Sequence, residues 1–187
     1  MENPNYLTNI VEVGSIILIP IAMIFALGFL LKRRKLAWTI YAVMTIGFLS
    51  LLIPSVISEM NGSTNIHQLG IAQNMGSMEG KEVRFGAAAS ANWATYTTCT
   101  SNGSVNAMHD SMTPITGITT LLGMMINSFY GGVGVGFLNF YIFIILGVFI
   151  SGLMVGRTPE FLGKKIEAKE MKIAMMIALL HPFLILV

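Results

Sequence analysis

Five consecutive residues, Thr100-Ser101-Asn102-Gly103-Ser104, offer only neutral oxygen chemistry: three hydroxyls, one amide and a run of backbone carbonyls around a single glycine. Oxygen dipoles of this kind replace the hydration shell of an alkali cation without burying a formal charge. Gly103 lets the backbone turn there or approach an ion closely. The preceding segment, Ala87 to Cys99, reads as a short helix of small residues. Its partially negative C-terminal end would point at the turn and favour a cation. Taken as letters, the same five residues also suit a surface turn that caps two helices. The lengths of the flanking segments bring the ion-filter reading level with that one, and both stay open on the letters alone.

A second cluster, Gly131-Gly132-Val133-Gly134-Val135-Gly136, places four glycines in six residues. Glycine is costly in a helix and easy to unwind, which suits a gate. Small residues also let membrane helices pack closely, which is the competing reading. His109 and Asp110 follow the filter candidate but have no other histidine nearby in sequence. They read as loop residues, with an outer cation-attracting carboxylate as a second role for Asp110. Cys99, the only cysteine, excludes an intramolecular disulfide and a thiolate metal cluster. The fourteen methionines read as apolar filler. No P-loop, aspartyl-phosphorylation or protease motif is present, so the chain is not expected to be an enzyme by itself.

The elements that must position these residues follow from hydropathy. Of 187 residues, 54% are hydrophobic and 11% are charged, against about 25% charged in ordinary soluble domains. The apolar residues fall in long uncharged runs, the pattern of a polytopic membrane protein in contact with the lipid bilayer. Nine of the eleven Lys and Arg residues lie in two clusters, Lys32-Arg33-Arg34-Lys35 and Arg157, Lys164, Lys165, Lys169, Lys172. Both flank apolar segments, so the positive-inside rule accounts for them and no nucleic acid need be invoked. The N-terminus has no basic region before its apolar run, and no cleaved signal peptide is expected.

Val13 to Leu31 and Leu36 to Ile57 are predicted spans, joined by the first basic cluster as a cytoplasmic turn. Ser58 to Gly86 is a polar external loop with mixed charges. Ala87 to Cys99 is too short to cross, at about 20 Å, so helix plus turn reads as a loop that enters the membrane and returns. Gly117 to Val155 is 39 residues without a charge, about 60 Å as one helix and about twice the hydrocarbon thickness. The break must then lie inside the membrane, at the glycines, between two half-helices. The expected fold class is an all-α polytopic membrane protein with a helix–re-entrant pore loop–helix (M1-P-M2) repeat whose second helix is broken. Its expected divisions are 1–35, a helix and basic turn; 36–155, the pore unit, with pore helix 87–99, filter 100–105 and broken M2 117–155; 156–172, a cytoplasmic loop; and 173–187, a helix that stops in mid-course.

Three stretches carry a family resemblance. They are Met78-Glu79-Gly80-Lys81-Glu82-Val83-Arg84-Phe85-Gly86; Thr97, Thr98 and Gly103 followed by Val105 to Ser111; and Gly131-Gly132-Val133-Gly134 with Gly156-Arg157-Thr158-Pro159-Glu160-Phe161-Leu162-Gly163-Lys164-Lys165. With these motifs the chain resembles the KdpA family, the potassium-binding subunits of Kdp-type transport ATPases, over essentially its whole length. The family is itself similar to the Trk, Ktr and HKT potassium transporters. Asn102 departs from the pattern, standing where a cysteine or another small residue is expected.

The resemblance implies a potassium ion as the bound and transported species. It implies four non-identical pore-loop repeats around one filter, this chain holding the third with Thr100 to Ser104 as its filter loop. Residues before 36 would end the second repeat and residues after 172 would open the fourth. The gating loop would lie at Gly131, Gly132, Gly134 and Gly136. Implied partners are the remainder of the A subunit, the P-type ATPase subunit KdpB, KdpC and KdpF. The implied location is the bacterial or archaeal cytoplasmic (inner) membrane, as a multi-pass protein. Two alternatives are a Trk/Ktr-like uptake subunit that works without a P-type ATPase, and a non-conducting membrane scaffold.

Overall fold

The computed structural model describes residues 5–132, 134–156 and 158–187. Met1 to Pro4, Val133 of the glycine cluster and Arg157 of the second basic cluster lie outside the described residues. The chain is predominantly helical. Among the described residues, three helices are long and apolar enough to cross a membrane: α1 (Tyr6–Leu30), α2 (Arg34–Asn61) and α6 (Val135–Val155). This is a multi-pass membrane protein.

Helix α1 begins at a capping box, in which Asn5 and Thr8 exchange side chain to backbone bonds. Pro20 sits inside it without ending it, as apolar membrane helices tolerate. α1 and α2 form a hairpin whose helices touch at Gly28 and Ala37. A Cβ on Gly28 would lie 2.4 Å from that of Ala37, so the crossing depends on a hydrogen at position 28.

The buried stripe of α2 runs Ala37, Ile40, Met44, Phe48, Leu51, Ser55 and Glu59, at spacings of three and four. One helical face therefore meets the core, and its last two members are polar. Against this stripe lies α4 (Gly86–Thr100), a helix of small residues buried on nearly every side, including Ser90, Ala91, Trp93, Thr95, Thr97 and Cys99. Its alanines and hydroxyl residues let the neighbouring backbones approach, and its threonine hydroxyls bond back to carbonyls in their own helix. A five-residue helix, α3 (Thr64–Gln68), lies in the polar connection before it.

The long uncharged run folds as α5 (Pro114–Ile126) and α6, separated by an irregular segment from Asn127 to Gly134. Two expectations are corrected here. The pieces are not two halves, because α5 has 13 residues and α6 has 21, the latter about 31 Å long and able to cross alone. The interruption also begins before the glycines. Asn127 takes the left-handed conformation, donates its N–H to the Gly123 carbonyl and ends α5. Gly136 then falls in the first turn of α6.

The loop expected at 156–172 contains a two-residue hairpin, β1 (Glu160–Phe161) with β2 (Lys164–Lys165), so the chain is not strictly all-α. Leu162 and Gly163 both have positive φ, as a tight two-residue turn requires. Helix α7 (Ala168–Leu186) starts earlier than expected, because Glu167 and Glu170 form a capping box ahead of the apolar run. The main core joins α1, α2 and α4 through Ile24, Ile40, Met44, Phe48 and Cys99, closed by Tyr130 from the interruption.

Candidate ion-coordination site

Two segments singled out in the sequence, the Thr100 to Ser104 turn and the glycine-rich interruption, are in direct contact. The Gly132 N–H donates to the Thr100 carbonyl at 2.8 Å. The Ser101 hydroxyl donates to Asn127 Oδ1 at 3.0 Å. Sequence separation conceals this pairing, since the partners are about thirty residues apart.

The turn is built from the end of α4. Thr100 still belongs to the helix and is buried, so the turn proper begins at Ser101. Ser101 adopts the left-handed conformation and, with Asn102, donates its N–H to the Thr97 carbonyl. Asn102 Oδ1 accepts from both the N–H and the hydroxyl of Ser104, each at 3.0 Å. This closes the turn as an Asx motif and gives the unexpected asparagine a structural task. Gly103 has φ +74°, and no atom lies within 4 Å of where its Cβ would be. Backbone conformation, not crowding, is what calls for glycine. The returning chain is held by the Trp93 indole, whose N–H donates to the Ser104 carbonyl at 3.2 Å.

A small set of acceptors is left over. The Thr100 and Ser104 carbonyls are engaged. Among the described residues, no hydrogen bond engages the carbonyls of Ser101, Asn102 and Gly103, and all three residues are exposed. They stand at the C-terminal end of α4, where the helix dipole favours positive charge. Among the described residues no group of three or more His, Cys, Asp or Glu side chains exists to hold a metal ion, so the chemistry on offer is that of neutral oxygen.

Irregular backbone in an apolar chain needs partners for its polar groups, and the interruption supplies them. The Asn127 carbonyl accepts from Asn139 Nδ2 at 3.1 Å, and the Met124 carbonyl lies 3.2 Å from His181 Nε2 of α7. The Gly131 carbonyl accepts from the Gly136 N–H at 2.7 Å. A Cβ on Gly136 would stand 2.2 Å from the Gly131 nitrogen. Gly136 therefore serves close approach, while Gly132 and Gly134 serve positive φ. Tyr130 also has positive φ, and its hydroxyl bonds Thr45 of α2. Its ring packs against Phe48 and Tyr41, and Phe129 packs on Gly47.

At the opposite end of α4, charges that read as loop charges in the sequence form a buried cluster. Glu59 is fully buried; its Oε2 lies 2.9 Å from Lys81 Nζ, and both side chains are shielded from solvent. Glu59 Oε1 accepts from the Thr113 N–H at 2.7 Å and from its hydroxyl at 3.0 Å. Hydroxyls of Ser58, Thr116, Ser55 and Thr95 continue this network to the middle of α4. Glu59 is separated from Lys81 by 22 positions in an ordinary mixed-charge stretch, so only the cap demand of α5 hints at a partner. Asp110 is exposed and His109 half-buried in a single 3-10 turn; burial holds His109 below the usual imidazole range.

A family model described as potassium-transporting ATPase A subunit (KdpA) matches residues 1–187. The chain is similar to potassium-transporting ATPase potassium-binding subunits from several bacteria. It is 66% identical over 186 residues to that of Flavobacterium psychrophilum, covering 100% of this chain and 32% of the relative. To that of Bacteroides thetaiotaomicron it is 62% identical over 187 residues, covering 100% and 33%. To that of Geobacillus kaustophilus it is 48% identical over 185 residues, covering 99% and 33%. The chain thus spans about a third of the length of these curated relatives.

Proposed function

The chain belongs to the potassium-transporting ATPase A subunit family, and from that premise we propose that it supplies one of four selectivity-filter loops, with its intramembrane gate, to an ATP-driven potassium importer. In this reading α2, α4 and the α5–α6 pair form one M1-P-M2 unit. α4 is the pore helix and the turn after it is the filter loop. The ion is potassium, and the membrane is the bacterial or archaeal cytoplasmic one. ATP hydrolysis belongs to a partner, KdpB, assembled with KdpC, KdpF and the remaining filter loops of the A subunit.

The observation that carries the proposal is the hydrogen bond from the Gly132 N–H to the Thr100 carbonyl. It joins a turn with three unengaged carbonyls to the one segment that interrupts a long apolar run. The carbonyls of Ser101, Asn102 and Gly103 replace water around a dehydrated potassium ion, with the α4 dipole adding favourable potential. The interruption lies against that turn. Its glycines allow it to move without breaking α5 or α6, which is what a gate beneath a filter requires. Gly131 and Gly136 form its hinge contact, and Gly132 and Gly134 its mobile backbone.

Substituting Gly103→Asp in the full-length subunit, assembled in its complex, tests the proposal. The positive φ is strained for Asp and a carboxylate enters a site built from neutral dipoles. Potassium affinity is expected to fall by about a hundredfold or more, in keeping with a few kcal/mol of lost coordination. Unchanged affinity and ion selectivity would refute the filter role. Co-purification of a P-type ATPase subunit with the wild-type protein tests the coupling; a cytosolic nucleotide-binding ring in its place would support the Trk/Ktr-like alternative.

A further inference from the structure

Both feet of the α4 hairpin rest on one carboxylate. The chain leaves the rim at Lys81, runs through α4 and the 100–104 turn, returns past Met108 and enters α5 after Thr113. Lys81 Nζ sits on Glu59 Oε2 at 2.9 Å, while the Thr113 N–H and hydroxyl sit on Oε1 at 2.7 and 3.0 Å. Lys81 also donates to the Glu79 carbonyl at 3.2 Å. The two feet touch each other as well: the Met108 N–H donates to the Gly80 carbonyl at 3.1 Å, and a Cβ on Gly80 would lie 2.7 Å from that of Ser111. The Glu59 carbonyl takes the Ser77 N–H at 2.8 Å, so the acidic residue is itself held at the end of α2.

We propose that Glu59 is a positioning residue for ion discrimination, a clamp that fixes the depth at which α4 presents the Ser101 to Gly103 carbonyls. The proposal rests on the filter reading above. A filter discriminates between ions of similar size only if its oxygens are held at a set spacing, and that spacing depends on where the hairpin is anchored. Hydrogen bonds between neutral groups yield under small displacements. A shielded carboxylate and ammonium do not separate without stranding a charge in a dry site. The Lys81 foot leads into α4, whose continuous backbone from Gly86 to Thr100 carries the position of the carboxylate to the 100–104 turn, with the hydroxyl series Thr113, Thr116, Ser55 and Thr95 running beside it. The clamp therefore acts on the filter through the helix, without touching an ion.

The experiment measures potassium and rubidium affinities of the full-length subunit in its assembled complex, for the wild type, K81R and the double variant E59Q/K81M. The double variant strands no charge and keeps an oxygen for the Thr113 N–H, so it is chosen to fold. Its ratio of potassium to rubidium affinity is expected to fall about tenfold, corresponding to a small displacement of the coordinating oxygens. K81R preserves the pair and is expected to keep the ratio within about threefold of wild type. A double variant with the wild-type ratio overturns the clamp, as does one whose two affinities fall equally with the ratio unchanged, since that marks a purely structural role. If the wild-type complex binds no potassium, the filter reading fails and the clamp fails with it; a failure of the clamp alone leaves wild-type binding intact.

Discussion

The rim around Glu59 and the interruption from Asn127 to Gly134 solve the same problem by opposite means. Each holds irregular backbone within a largely apolar chain. The rim does so with formal charge: a shielded carboxylate takes an ammonium, a backbone N–H and a hydroxyl at once. The interruption does so with amide donors and acceptors, Asn127, Asn139 and the glycine N–H groups, together with several residues at positive φ. Charge in a dry site resists displacement because the alternatives are costly. Neutral bonds at glycine-rich backbone exchange partners cheaply, since each is worth only about 1 kcal/mol net. In the proposed reading, this contrast makes the anchor of the hairpin the stiffer part and the segment touching its tip the adjustable one, as a fixed filter over a moving gate needs.

The largest expected effect is at the rim. Glu59→Ala leaves Lys81 buried without a counter-charge, and the expected loss of stability is about 3–5 kcal/mol, read by thermal unfolding of the full-length subunit. A loss below about 1 kcal/mol, within the range of solvated surface pairs, would mean the pair is hydrated and the rim is no stiffer than the interruption. A smaller effect is expected from Tyr130→Phe, which removes the hydroxyl bond to Thr45 but keeps the ring among Phe48 and Tyr41. About 1 kcal/mol is expected, appearing as faster amide exchange over residues 127–134 with exchange at residues 76–86 unchanged. Equal acceleration in both regions would erase the distinction drawn between them.

The smallest effect concerns pH. Burial holds the folded-state value of His109 below its unfolded one, so the neutral imidazole is the form the fold prefers. Its contribution is present above the unfolded pKa of about 6.5 and is lost as pH falls from there through the folded value. Lowering the pH from about 7.5 to about 5 is expected to loosen the outer turn slightly, and His109→Gln should flatten that dependence in an unfolding experiment. The same slope in the variant would assign it to another group.

Much of the architecture is legible in the sequence for a reason of length. A 39-residue uncharged run is too long for one membrane helix, and that length alone demands an interruption. Where the interruption starts is less legible, because glycine abundance points to 131–136 while Asn127, an ordinary asparagine in the left-handed conformation, ends α5. The turn after α4 is legible through its hydroxyls and Gly103; its contact with Gly132 is not, since nothing local to either segment encodes a bond across about thirty residues. Glu59 and Lys81 are hidden for the same reason, and more deeply. Their letters match a solvated loop, and only tertiary closure of the hairpin makes them a buried pair. The short β-hairpin is hidden because Leu162 at positive φ carries no glycine or asparagine signal of its own.

The most direct test replaces Ser101 by cysteine in an otherwise cysteine-free full-length subunit within its complex, and measures labelling by a water-soluble thiol reagent with and without potassium. If the turn binds the ion in a membrane-embedded cavity, labelling should be slow and should slow further, by about tenfold at potassium concentrations well above the dissociation constant. Fast labelling at the same rate in both conditions would put the turn at an ordinary aqueous surface and contradict the account.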